Sequence, residues 1–184
     1  DPTELLKELT TKQDKHQHWH GSILAGYNAS TGNTQSNSYL TKFKLSYKRK
    51  LWENVFNAST ERTMNNNDTT AKKSAVNYTS RWLFDKRNYT YFNTDYIHDE
   101  FAPFIDVADV GWGYGWRIIK SRKVLLQLQV GPGYQFTKSA EDKVTGKQEE
   151  QHTITGNSDV AFDWKINQHV KLEQTFGAVV SRDN

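Results

Sequence analysis

The sequence predicts an all-β chain, an antiparallel up-and-down transmembrane β-barrel of about nine strands preceded by a short N-terminal helix. Three observations carry this. Side chains alternate with a period of two, most plainly over residues 108–136: Val110, Trp112, Tyr114, Trp116 and Ile118 oppose Gly111, Gly113, Gly115 and Arg117, and Val124, Leu126, Leu128 and Val130 oppose Gln127, Gln129 and Gly131. Aromatic residues gather toward the ends of the apolar faces. Connections near Lys50, Lys86, Lys120 and Gln168 read as short, and those near Asn33, Asn66, Pro103 and Asp142 as long. A greasy outer face opposite glycine, glutamine and arginine suits a wall with hydrocarbon outside and a polar lumen inside.

In chain order, residues 1–17 read as an N-terminal periplasmic extension and 18–184 as the barrel. Asp1 is placed to cap a helix with Pro2 at its first position, and Leu5, Leu6 and Leu9 give it a narrow apolar stripe. Trp19, Ile23, Ala25 and Tyr27 form the outer face of the first strand. Trp19 and Tyr27 are about 26 Å apart along an extended chain, close to the height of an apolar band once tilted. Tyr39, Phe43, Leu45 and Tyr47 oppose Lys42, Lys44 and Lys48 in the second strand, and Trp52, Phe56 and Ala58 oppose Glu53, Asn57 and Ser59 in the third. Val76, Tyr78, Trp82 and Phe84 then face away from Asn77 and Arg81. The strand over 89–99 is ambiguous in phase; turning Phe92, Thr94 and Tyr96 outward keeps Asn93 and Asp95 out of hydrocarbon. After the pair over 108–136, Ile154, Val160, Phe162 and Trp164 oppose Thr155, Asn157, Asp159 and Asp163, and Leu172, Phe176, Ala178 and Val180 oppose Lys171, Glu173 and Thr175.

Composition limits the alternatives. Only 35% of the 184 residues are hydrophobic and the mean hydropathy is -0.84, a thin supply for a soluble core. No run approaches the roughly 18 to 20 apolar residues of a spanning helix, so membrane residence must be by strands. With no cysteine, neither disulfides nor thiolate metal sites hold the fold. The net charge of +3 is well mixed, and no basic stripe points to nucleic acid. The chain opens without an apolar leader, which is expected of a mature envelope protein whose targeting segment has been removed.

The candidate functional constellation is a lumen-facing charged network. Lys42, Lys44, Arg81 and Arg117 on earlier strands are expected to pair with Asp95, Asp159, Asp163 and Glu173 on later ones, with Lys171 beside them. Glycines 111, 113, 115, 131 and 133 are expected to clear lumen space for these long side chains. A charge-packed structural interior and a narrow ion path fit this pattern equally. An interfacial aromatic belt is expected from Trp19, Tyr27, Tyr39, Tyr47, Trp52, Trp82, Trp112, Trp116, Tyr134 and Trp164. Alternating His16, His18 and His20 share a face but have no further ligand at fixed spacing, so they read as interfacial polar residues and no metal or cofactor is expected. His98, Asp99, Asp106 and Asp109 are the only rim set suggestive of water activation, and that spacing is unspecific.

Trp19-His20-Gly21-Ser22, Gly26-Tyr27, Ser30-Thr31-Gly32-Asn33-Thr34, the Gly111-Trp112-Gly113-Tyr114-Gly115-Trp116-Arg117 run and Gly131-Pro132-Gly133-Tyr134 stand in a distinctive order. In these motifs the chain, from Trp19 onward, resembles the salt-induced outer-membrane proteins, a domain family of unknown function. The resemblance implies a Gram-negative outer-membrane barrel of about a dozen strands, with no reaction and no catalytic residue attached. Its surroundings would be outer-membrane lipid and lipopolysaccharide. The departure is at Ser181-Arg182-Asp183-Asn184, where a closing aromatic strand is expected, and it suggests missing strands. The leading expectation is therefore a non-enzymatic barrel with a structural, stress-related or small-solute permeation role. A scaffold whose open strand edge pairs with a partner chain is second, and an outer-membrane hydrolase third.

Overall fold

The computed structural model describes residues 18–142, 144–166 and 171–183. The extension over 1–17, with its expected helix and His16, lies outside the described residues, as does the Asn167-Gln168-His169 turn. Nine strands follow one another: β1 (Trp19–Ser30), β2 (Ser36–Arg49), β3 (Trp52–Asn65), β4 (Asp68–Leu83), β5 (Asn88–Asp99), β6 (Phe104–Lys120), β7 (Val124–Ser139), β8 (Glu150–Lys165) and β9 (Lys171–Asp183). They form one antiparallel sheet in which spatial order equals chain order. The sheet is open: among the described residues, β1 pairs with β2 alone and β9 with β8 alone.

Register fixes the faces. Ile23 pairs with Phe43, Phe43 with Ala58 and Ala58 with Val76, and the apolar set continues through Tyr96 and Ala108 to Phe136. On the other side Lys44, Asn57, Asn77, Asp95, Asp109 and Gln135 make a row. The ambiguous strand β5 takes the expected phase: Tyr89 and Tyr91 are buried on the polar face, and Phe92 and Tyr96 are exposed on the apolar one. The polar face is the concave one: on β5 and β6 it carries the buried Tyr89, Tyr91 and Arg117, and Glu53 on β3 reaches Arg117 on β6 across two intervening strands.

The expected rhythm of short and long connections does not hold. β3 ends at Asn65 and β4 starts at Asp68, so Asn66 and Asn67 alone make that connection. Both have positive φ, 49° and 70°, the conformation that two-residue hairpins demand and that asparagine tolerates. The turn at Lys50-Leu51 is equally tight, with Lys50 at φ 45°. The β5–β6 connection, residues 100–103, is no longer than the one at 84–87, whereas the long connection expected near Asp142 is present as residues 140–149. Apolar alternation stops where the apolar band stops, whereas the backbone ladder continues among polar side chains and shortens the loops.

One bulge matters locally. The β6–β7 register shifts between Arg117 and Ile119, so Ile118 is the extra residue and Ile119 takes its place opposite Leu126. A bulge beside Arg117 is the kind of irregularity that aims a side chain.

Candidate functional site

On the polar face, the region beside the connections at 50–51, 84–87 and 121–123 is tightly built. Arg117, 8% exposed, donates through Nη2 to Glu53 Oε2 at 3.1 Å. Glu53 also pairs with Lys48 at 3.2 Å. Tyr89 is fully buried, with the Arg117 and Arg81 guanidinium carbons 5.2 and 5.9 Å from its ring centroid. Two cations against one ring make a cation–π arrangement whose value rises with desolvation.

Cross-strand partners explain that burial. Tyr89, Tyr91 and Asn93 stand opposite Gly115, Gly113 and Gly111. A Cβ at Gly115 would collide with the Tyr89 ring, one at Gly113 would lie 2.7 Å from Tyr91 Oη, and one at Gly111 would meet Asn93 Oδ1. Gly133 is covered in the same way by Thr155 Oγ1 and Asn157 Nδ2. These glycines therefore do not leave open space in front of the polar face. At Gly111, Gly115 and Gly133 the space is filled by side chains of the adjacent strand, and at Gly113 and Gly131 it is taken up mainly by the close approach of the β6 and β7 backbones; Tyr89 lying over Gly115 is an aromatic-over-glycine packing that ties β5 to β6.

The expected ion pairs are also redistributed. Arg117 is held by Glu53, not by a later carboxylate. Asp95 accepts from two amides, Asn77 Nδ2 on Oδ1 and Asn93 Nδ2 on Oδ2, and Asn57 Nδ2 donates to Asn77 Oδ1 at 3.0 Å. Lys42, Lys44, Asp159 and Asp163 lie on the polar face as expected, yet none forms an ion pair among the described residues. Glu173 stands opposite Asp163. Lys171 opens β9 opposite Lys165, and its side chain is outside the described set. Sequence reasoning missed Glu53, Tyr89 and the asparagines as members; their shared phase with Arg81 and Arg117 was the available signal. Lys42, Lys44, Asn57, Asn77 and Asp95 line one concavity of about 470 Å³.

The apolar face carries all six tryptophans, Trp19, Trp52, Trp82, Trp112, Trp116 and Trp164, each between 41% and 63% exposed. One aromatic row lies near the ends adjoining residues 50–51 and 84–87: Trp19 packs on Tyr47 with centroids 4.6 Å apart, Tyr47 on Trp52, Trp52 stands opposite Trp82, and Tyr114 packs on Trp116. Trp164 ends β8 on the same side. Tyr27 packs on Tyr39 at the opposite ends of β1 and β2, and Tyr134 bonds His152 toward the far ends of β7 and β8. Trp112 belongs to neither row: it sits at the middle of β6 opposite Phe92. Its indole N–H donates to Thr90 Oγ1 at 2.9 Å, and Thr90 in turn donates to the Gly113 carbonyl. Trp52 similarly donates to Ser80 Oγ at 2.9 Å, and Tyr78 and Tyr114 donate to Asn54 and Asn88 at 2.8 Å.

The His98 set does not converge. His98 and Tyr96 both bond Asp106 on the apolar side of β5–β6, Asp99 accepts the Phe101 N–H, and Asp109 lies on the polar face beside Asp95. Among the described residues no three metal-ligating side chains gather.

The uncharacterized protein YdiY of Escherichia coli (strain K12) is 25% identical to this chain over 166 residues, which cover 86% of the chain and 62% of that protein. The chain thus spans less than two thirds of the length of this curated relative. Residues 23–184 match a family described as protein of unknown function, DUF481, and the match includes the Gly32-Asn33-Thr34 loop and the Gly131-Pro132-Gly133-Tyr134 strand. A match of that extent makes the chain a member of the DUF481 family.

Proposed function

We propose that these strands are the wall of a non-catalytic barrel in a bacterial outer membrane, with lipid and lipopolysaccharide against the apolar face and a polar lumen inside the concave one. One observation carries the reading: the face bearing all six tryptophans is uncovered. The buried hydrophobic residues among those described are Tyr89 and Tyr91 alone, and both belong to the polar face. In water such a sheet would leave its apolar side without a second layer, which soluble architectures do not tolerate. In hydrocarbon the same side is at home. The hydrogen bonds made within that face by Trp52, Tyr78, Trp112 and Tyr114 spare their donors an unsatisfied exposure to lipid.

In this reading the β1 and β9 edges must also be paired, with each other or through further strands, because an open edge in lipid leaves backbone groups unsatisfied. The role that follows is structural or permeation of small solutes. The test is tryptophan fluorescence of the full-length protein in vesicles whose acyl chains are brominated. Quenching by the brominated chains, with protection from aqueous iodide, is the expected result. Iodide quenching without any effect of the brominated lipid would overturn the membrane reading.

A further inference from the structure

We propose that the concavity on the β2–β5 wall is a binding site for small zwitterionic solutes, compounds carrying one ammonium and one carboxylate on a short carbon chain. The inference rests on the barrel reading, since an enclosed lumen is what removes bulk water from competition. Lys44, Asn57, Asn77 and Asp95 occupy one register row across four strands, and Lys42 joins them in lining the same concavity of about 470 Å³. With two strands between them, the Lys44 and Asp95 backbones are separated by about 14 Å along the sheet, which keeps the ammonium and carboxylate from neutralising one another. Neither Lys42 nor Lys44 forms an ion pair among the described residues.

The floor between the two charges is oriented. Asn57 donates to Asn77 and Asn77 donates to Asp95, so the amide N–H groups run toward the carboxylate and fix its position. A solute carboxylate meets Lys42 and Lys44, and its ammonium meets the remaining lone pairs of Asp95. Ser22 and Ser59 at the margin supply hydroxyls for either end. A simple anion satisfies the lysines and is repelled by Asp95. A simple cation has the reverse difficulty. Only a molecule bearing both charges gains from both ends at once.

The experiment uses full-length protein in detergent micelles and follows the Asn57 and Asn77 side-chain amide resonances during titration with β-alanine, propionate and ethylammonium. β-Alanine is expected to shift both resonances and to bind about tenfold more tightly than either singly charged probe. Lys44→Gln and Asp95→Asn should each weaken β-alanine binding by about tenfold, whereas Asp163→Asn, outside the concavity, should not. Equal affinity for propionate and β-alanine, or affinity unaffected by Lys44→Gln, would overturn the inference. Tryptophan quenching of the same protein reconstituted in brominated-lipid vesicles separates the two failures: quenching with no β-alanine response sinks the site alone, and loss of quenching sinks the barrel and the site with it.

Discussion

The polar face is built in two ways. Where β5 and β6 meet the start of β3, it is a seam in which Tyr89 and Tyr91 lie over glycines and Arg117 is sealed against Glu53. Further along the strands, from β2 to β5, it is an open wall, with Lys42 and Lys44 unpaired among the described residues and space in front of them. Both stretches alternate polar against apolar in the same phase. What differs is side-chain length beside glycine: where glycine stands opposite tyrosine, the ring lies down and closes the surface; where asparagine stands opposite asparagine, short amides bond to each other and leave room. Closure and access are thus decided by cross-strand pairs, not by composition.

The largest expected effect is at the seam. Arg117→Ala leaves Glu53, whose side chain is 14% exposed, without its shielded partner and should cost about 3–5 kcal/mol. Lys44→Ala on the open wall should fall within about 0.5 kcal/mol. Urea unfolding of both variants in micelles compares the regions directly, and similar costs would erase the distinction between them.

A new charge should sharpen the contrast between the outside of the seam and the inside of the wall. Val130→Lys on the apolar face is expected to cost about 2–4 kcal/mol if lipid meets it. Ser59→Lys beside the concavity should stay near zero, within about 0.5 kcal/mol. The same unfolding measurement in lipid vesicles decides this, and a harmless Val130→Lys would argue against hydrocarbon there.

Gly115→Ala comes next, at about 1–3 kcal/mol from overpacking against the Tyr89 ring. In a Tyr89→Ala background the same change should cost much less, because the obstructing ring is gone. A double-mutant cycle that shows plain additivity would mean the ring and the glycine are not coupled.

The smallest effect concerns pH at the 84–87 turn. The Asp85 carboxyl is held below its usual value by the Asn88 side-chain amide and then by the Arg87 and Asn88 backbone N–H groups. A lowered folded-state pKa means the turn's stabilisation is complete above the ordinary aspartate value of 3.8 and is lost as pH falls through the lower folded value. The protection of the Arg87 and Asn88 amides, measured against the intrinsic exchange rate at each pH, should therefore fall below that range, and Asp85→Asn should show the lower protection already at neutral pH. Protection unchanged in acid and in Asp85→Asn would contradict the assignment.

Much of the architecture was legible because the two faces of the sheet differ in polarity, which writes a period of two into the strands. Even the ambiguous β5 resolved correctly, since Asn93 and Asp95 had only one tolerable side. The strand ends were not legible from that pattern: the ladder outlasts the apolar band, so Asn66-Asn67 looked like a long loop although four consecutive Asn/Asp residues also spell a tight left-handed turn. The network was half visible. Phase put Glu53, Arg81, Tyr89 and Arg117 together on one face, but the contact between β3 and β6 depends on how far the sheet curls, and curl is not written in alternation. The glycines misled for a related reason, as an empty Cβ position tells nothing about which neighbour will lie across it.

Because chain order and spatial order coincide, a wall laid down hairpin by hairpin gains each strand on its newest rim. Until β6 joins, Glu53 has, among the described residues, only the exposed Lys48 of the preceding strand as a partner, and its shielded one, Arg117, comes three strands later. The enclosed half of this three-way pairing is therefore completed only when β6 is in the sheet.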